Sequence, residues 1–350
     1  IFIVNARGQV ASLLPLFKGF RDFDNGLSIK GVIFNNVNSD RHKKLIKEVF
    51  QNEDIEILGF LPSDSRITVN KANLGLLSPL DSDRKIDVEY FAGFAEKNLD
   101  FGLLSKFLKS PHEKILNNCS FKDFKIDKNK PVAIAEDKIF HFQYPDTKEF
   151  LNEIGIPLVS WSIFDNEEIP NEASSLIIPG GFPEKYANHI SNSEKSLNSL
   201  RSFRKKGFIY AECGGMMILG DSIKDESGEC YKMSGILPFH SKKGKLSVGY
   251  RYIKGLKDTL IIKQNQLIRG HEFHYWEIDS CLSDIQCQKQ KNQSEIFAPW
   301  EIRSWNTEYK GEGWSDKRLH ASWIHLHLPS SPEAAKNFID ATQVNFSQDH

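Results

Sequence analysis

The residues best placed to do chemistry lie in Phe208-Ile-Tyr-Ala-Glu-Cys-Gly-Gly-Met-Met-Ile-Leu219. A strand-like run feeds directly into Cys213, two glycines follow, and a helical stretch begins. This is the strand–turn–helix order of a nucleophile elbow, where the turn is so sharp that small residues must flank the reacting side chain. A thiol at a helix start meets partial positive charge, which favours thiolate, the form that attacks a carbonyl carbon. The same residues also suit a buried cysteine packed at a strand end. The chemistry therefore needs support from elsewhere in the chain.

Some of that support lies upstream in Ile177-Ile-Pro-Gly-Gly-Phe-Pro-Glu184. Adjacent glycines after a strand leave a backbone N–H unobstructed, so Gly181 and Gly214 together could form an oxyanion hole. Taken alone, Pro-Gly-Gly is an ordinary loop; its value comes from following a strand of the same expected sheet. A base must then come from a distant segment. Ala321-Ser-Trp-Ile-His-Leu-His-Leu328 offers His325 and His327, two residues apart on one face of an expected strand. A packing or surface pair would look the same. A metal reading would need a third ligand, for which His271-Glu-Phe-His274 is the candidate, but its His-to-His spacing of three is not the four of a zincin helix.

The elements that must position these residues follow from hydrophobic patterning. Residues 1–4 form a continuous apolar run, the pattern of a strand buried on both faces of a parallel sheet. A helix over 12–23, a strand over 29–34, a helix over 40–51 and a strand over 55–60 come next, and 86–107 reads as helical. Residues 109–130 are polar and rich in Lys and Asn, which marks a linker between domains 1–108 and 131–345. The second domain alternates again: strand 132–135, helix 147–154, strands 158–161 and 176–178, helix 193–205 and strand 208–211. Beyond Cys230 the pattern is β-rich, up to a helix at 331–341 opened by Ser331-Pro332. The fold class is α/β throughout, with right-handed crossovers.

Composition removes several function classes. The 350 residues carry a net charge of -1, which draws in neither nucleic acid nor membrane, so an anionic substrate would need local donors. No apolar run approaches the ~20 residues of a membrane span. Five cysteines without a CxxC pair fit neither a disulfide framework nor a thiolate zinc site, and suit a reducing cytoplasm. The chain has no signal-peptide pattern. It opens on Ile within an expected strand, and the expectation is that upstream sequence is missing.

Taken together, five ordered motifs across nearly all of 131–340 resemble the type-3 class I glutamine amidotransferases. The likeness is to the branch that amidates the a and c acetates of cobyrinic acid in cobalamin biosynthesis. They are Phe140-His-Phe-Gln-Tyr-Pro-Asp146, the Pro-Gly-Gly-Phe-Pro-Glu turn, Ala211-Glu-Cys-Gly-Gly-Met-Met217, Arg269-Gly-His-Glu-Phe-His-Tyr275 and Ala321-Ser-Trp-Ile-His-Leu-His327. The N-terminal part resembles the later portion of the family's P-loop-type ATP-binding domain. Gly31-Val-Ile-Phe-Asn-Asn-Val37 with Arg41-His42 maps Asn35 onto an adenine contact, and Asn73-Leu-Gly-Leu76 matches a further segment. No GxxxxGK[ST] loop occurs, and position 5 is Asn where the family has Asp, so magnesium ligands stay unassigned.

The resemblance implies catalysis by Cys213 with His325 as base. His327 is then the fallback base or a residue orienting His325, because the His-x-Glu of commoner class I enzymes reads His-x-His here. It further implies a carbon–nitrogen ligase that uses L-glutamine, ATP and Mg2+ on an anionic corrinoid, with the carboxylate activated as an acyl phosphate. A homodimer is also among the expectations. Hydrogenobyrinic acid or a nickel sirohydrochlorin remain open as substrates, as does a catalytically idle amidotransferase-like binding module.

Overall fold

The computed structural model describes residues 1–24, 26–67, 87–108, 124, 126–279, 296–305 and 307–343. The chain divides into two compact units, Ile1–Asn118 and Cys119–His350. Asn73-Leu-Gly-Leu76, most of the expected linker (109–123 and 125), Cys119, Cys281 and Cys287 lie outside the described residues.

In the first unit three parallel strands, β1 (Phe2–Asn5), β2 (Gly31–Asn35) and β3 (Glu56–Leu61), stand in the order β1-β2-β3. Helices α1 (Leu13–Phe23) and α2 (Asp40–Phe50) cover one face. Each buries two residues four apart, Leu13 with Phe17 and Ile46 with Phe50, the spacing that lines up one side of a helix. Strand β2 is buried on both faces, but β1 is not, for Ile3 is 64% exposed. The expectation of a fully buried first strand is corrected here: β1 is an edge strand with one face uncovered. The single helix expected over 86–107 is also two, α3 (Val88–Asn98) and α4 (Phe101–Leu104). Asp100 ends the run because its carboxylate accepts from the Leu103 N–H as an N-cap, while its own N–H donates to Leu58 of β3.

The second unit is built on β4 (Val132–Ala135), β5 (Leu158–Trp161), β6 (Ser175–Ile178), β7 (Phe208–Glu212) and β15 (Leu319–Ser322), all parallel, closed by the antiparallel β14 (Trp314–Ser315). Their order is β14-β15-β7-β6-β4-β5. Successive side chains feed opposite cores: Val132, Ile134, Ile177 and Tyr210 pack on one side, Ala133, Ala135, Leu176, Ile178 and Ala211 on the other. Helices α5 (Pro145–Glu153), α6 (Ala187–Asn192), α7 (Glu194–Phe203), the single-turn α8 (Gly214–Met217) and α9 (Pro332–Gln343) complete the layers. A second sheet, of β8 (Ser222–Lys224), β9 (Cys230–Lys232), β10 (His240–Gly255), β11 (Leu267–Ile278), β12 (Trp300–Arg303) and β13 (Lys310–Glu312), centres on the long β10–β11 hairpin. Among the described residues no helix is long and apolar enough to cross a membrane.

Candidate active site

The residues singled out for chemistry gather at the carboxyl ends of β7, β6 and β15, where open α/β sheets hold their ligands. Cys213 directly follows β7 and takes φ 49°, ψ -114°. A non-glycine residue held there costs on the order of 1–3 kcal/mol, which the surrounding structure must sustain. Both glycines that follow it are sterically required. A Cβ on Gly214 would stand 2.5 Å from the Gly181 carbonyl oxygen, and one on Gly215 2.3 Å from that of Ile178. The two glycine turns therefore abut, and the backbone hydrogen bonds among the described residues use neither the Gly181 nor the Gly214 N–H. Helix α8 spans only four residues, so its dipole is a small part of any thiolate stabilisation.

The segment after β15 is not the strand expected for 321–328. It leaves the sheet at Ser322, and the backbone of His325 pairs with β11 through an isolated bridge to His271. That departure carries the His325 ring, 2% exposed, into the site. Its Nδ1 lies 3.4 Å from Glu212 Oε2, it stacks on His271 with centroids 4.9 Å apart, and Phe142 meets it edge-on at 4.9 Å. Burial opposes charge on the ring, but charge and hydrogen-bond interactions with Cys213 and Glu212 override it and push the imidazole up to about 10. Nε2 makes no hydrogen bond of ordinary geometry, which leaves it as the nitrogen for the thiol.

His327 is placed differently. Its Nδ1 accepts from the Ser330 N–H, its Nε2 lies 3.8 Å from Asp146, and Tyr144 meets its ring edge-on. The motif around Tyr144 and the one around His271 form one wall: the Tyr144 hydroxyl and His271 Nδ1 are 3.1 Å apart. A cleft of about 450 Å³ runs beside this wall, lined by Tyr144, Tyr250, Arg269, His271, His325 and His327.

His271 and His274 serve different ends from those a metal reading needs. His274 stacks on Trp323 and bonds the Trp276 carbonyl through Nδ1 at 2.6 Å. Glu272 is held down to about 2, because bonds from His274, Ser247 and Arg251 outweigh the effect of burial. Among the described residues no three His, Cys, Asp or Glu side chains group as metal ligands.

Glu212 was not singled out by spacing, yet it is the carboxylate beside His325. A signal was available. An acid ending the apolar strand Phe-Ile-Tyr-Ala-Glu must be met by donors if it is buried. It is 6% exposed, and Oε1 accepts from the Tyr210 hydroxyl and, at 3.0 Å, from the Leu326 N–H. In the first unit Asn35 ends β2, the central strand of its sheet, with its Oδ1 accepting from the Asn36 N–H at 2.9 Å.

A parallel α/β sheet that sets a strained cysteine elbow beside a buried histidine is the framework of a glutamine amidotransferase-like domain. Residues 131–333 match the CobB/CobQ-like glutamine amidotransferase domain. Over 97% of its length the chain is 32% identical to the cobyrinate a,c-diamide synthase of Caldanaerobacter subterraneus subsp. tengcongensis, covering 73% of that protein. It is 31% identical to the enzyme of that name from Limosilactobacillus reuteri, over 97% of this chain and 73% of that one. The Salmonella typhimurium enzyme is 29% identical, over 98% and 73%. The structure of PurLQS from Thermotoga maritima matches 60% of this chain and 98% of that one at 12% identity and a TM-score of 0.41, too distant to carry an argument. The chain belongs to the cobyrinate a,c-diamide synthase family, whose members are glutamine-dependent, amide-forming ligases.

Proposed function

We propose that this chain transfers the amide nitrogen of glutamine to the a and c acetate carboxylates of an anionic corrinoid, with Cys213 as nucleophile and His325 as acid and base. The observation that carries the reading is the strained Cys213 coupled to the buried His325 ring. In the first step Cys213 Sγ attacks the side-chain carbonyl carbon of glutamine. The oxyanion that forms is held by the N–H groups of Gly214 and Gly181. His325 gives its Nε2 proton to the departing nitrogen, which leaves as ammonia, and a glutamyl thioester remains. Neutral His325 then takes a proton from water as that water attacks the thioester, and glutamate leaves.

The first unit is proposed to belong to the ATP-binding half of the enzyme. Bound ATP supplies the phosphoryl group that activates each carboxylate toward ammonia. Asn35 suits an adenine contact, since its free NH2 stands at the end of a central parallel strand. With Asn at position 5, no residue described is assigned to magnesium.

Transfer of label from amide-15N glutamine to cobyrinic acid, in the presence of Mg-ATP, tests the reading. Labelled diamide is expected from the full-length wild type. Cys213→Ser should make it only from added ammonia. Labelled product from Cys213→Ser and glutamine would overturn the assignment.

A further inference from the structure

We propose that Glu212, the residue immediately before the nucleophile, is the positioning residue of the base and supplies the carboxylate that the His-x-His motif lacks. This inference rests on the roles of Cys213 and His325 given above and adds a third member to the site.

The two oxygens of Glu212 have separate tasks. Oε1 accepts from the Tyr210 hydroxyl and from the Leu326 N–H at 3.0 Å. Those donors fix the carboxylate against β7 and against the residue next to His325. Oε2 is left facing His325 Nδ1 at 3.4 Å. A carboxylate at Nδ1 selects the tautomer with the proton on Nδ1, so that Nε2 presents its lone pair to the thiol. It also stabilises the imidazolium that forms when Nε2 takes the thiol proton.

His327 does not compete for this task, because its ring nitrogens are turned to Ser330 and Asp146. Among the described residues, the titratable groups that act directly on the His325 ring are Cys213, Glu212 and His271, with Tyr144, Arg269 and His327 further along the same cleft. His271 is held below its ordinary range by burial and by the charge of His325, which disfavours a second positive charge beside the ring. The alternation of β7 explains the arrangement. Tyr210 and Glu212 share one face of the strand, and the elbow at Cys213 turns the thiol toward the ring that Glu212 holds.

The discriminating substitution is Glu212→Gln in the full chain. A glutamine can keep its carbonyl oxygen under Tyr210 and Leu326, so a merely structural pin survives. Its NH2 would then meet Nδ1 as a donor and force the proton onto Nε2, the wrong tautomer for a base. We expect glutaminase kcat to fall by at least about 100-fold, the lower end for a mis-set catalytic histidine, with KM changed less than threefold. A far-downfield proton resonance from His325 Nδ1–H, expected in the wild type and in Cys213→Ala, should vanish in Glu212→Gln.

Tyr210→Phe is the graded case: it strips one of the two donors that fix Oε1 but keeps the carboxylate, so the resonance should persist and kcat should fall less than in Glu212→Gln. A Glu212→Gln enzyme with kcat within threefold of wild type would overturn the proposal, as would one that loses activity but retains the resonance. If the variant does not fold, the wild-type spectrum decides: no Nδ1 resonance means no such pair. The Cys213→Ala spectrum keeps this test separate from the nucleophile assignment, since the Glu212–His325 bond is expected there without any glutaminase activity.

Discussion

Gly180 is where a single methyl group should act on the base without touching any reacting atom. Its backbone lies outside the left-handed region, so alanine is conformationally allowed and the effect is steric. An added Cβ would stand 2.4 Å from His325 Cε1, 3.2 Å from its Nδ1 and 3.1 Å from the Phe142 carbonyl oxygen. Carbon atoms rest about 3.5 Å apart or more, so the overlap with the ring is roughly 1 Å. The ring has little room to absorb it, being stacked on His271 and met edge-on by Phe142, each at 4.9 Å. A shift of about 1 Å in a catalytic group can cost on the order of 100-fold in rate. Gly180→Ala should therefore lose about 100-fold in glutaminase kcat. Gly93→Ala, whose Cβ meets nothing within 4 Å, should change kcat less than twofold. The assay is steady-state glutamate release, with a thermal melt to confirm folding. A folded Gly180→Ala enzyme within threefold of wild type would show that the His325 position does not govern the rate.

Three further outcomes follow from the same geometry. His325→Ala should cost about 100-fold or more in glutaminase rate and His327→Ala far less, since only the former faces Glu212 and Cys213; equal losses would make His327 a working member of the site. Glu184 is only partly buried as a residue, yet desolvation of its carboxyl dominates and raises it to about 7. A raised folded value means its contribution is complete below about pH 4.5 and lost as pH rises through 7. Glu184→Gln should thus gain stability over wild type in urea titrations at pH 8, by no more than ~3 kcal/mol, and not at pH 4.5; a gain independent of pH would refute this. His320 is fully buried and depressed to about 3 by burial, so the folded chain should lose stability as pH falls from about 6.5 toward 3, and His320→Phe should flatten that loss in acid melts.

The second unit was legible because its strands are short, buried on both faces and punctuated by glycine turns. Residues Val132–Ala135 and Leu158–Trp161 fall where the apolar runs placed them. The turn at Cys213 was legible because a strand runs straight into two glycines, where added Cβ atoms would meet the Gly181 and Ile178 carbonyl oxygens. Glu212 was not, since its role depends on His325 arriving from more than a hundred residues away, and no local spacing records that meeting. The run at 321–328 misled for a related reason. Its alternation fits a strand, but beyond Ser322 its backbone finds, among the described residues, a single bridge partner, His271 of β11. In the first unit, Asp100 cut a helix that apolar periodicity alone would have continued. A cap read together with the periodicity would have found that break. The edge position of β1 was hidden because an apolar run does not say how many neighbours cover it.

Cys213 is tested most directly as the nucleophile by treating the chain with a glutamine-mimicking diazoketone and locating the adduct by peptide mass spectrometry. One label is expected, on Cys213, blocked by excess glutamine and lost in Cys213→Ser, while the exposed Cys230 stays unmodified. A glutamine-protected label on Cys230 or any other cysteine, with Cys213 untouched, would contradict it.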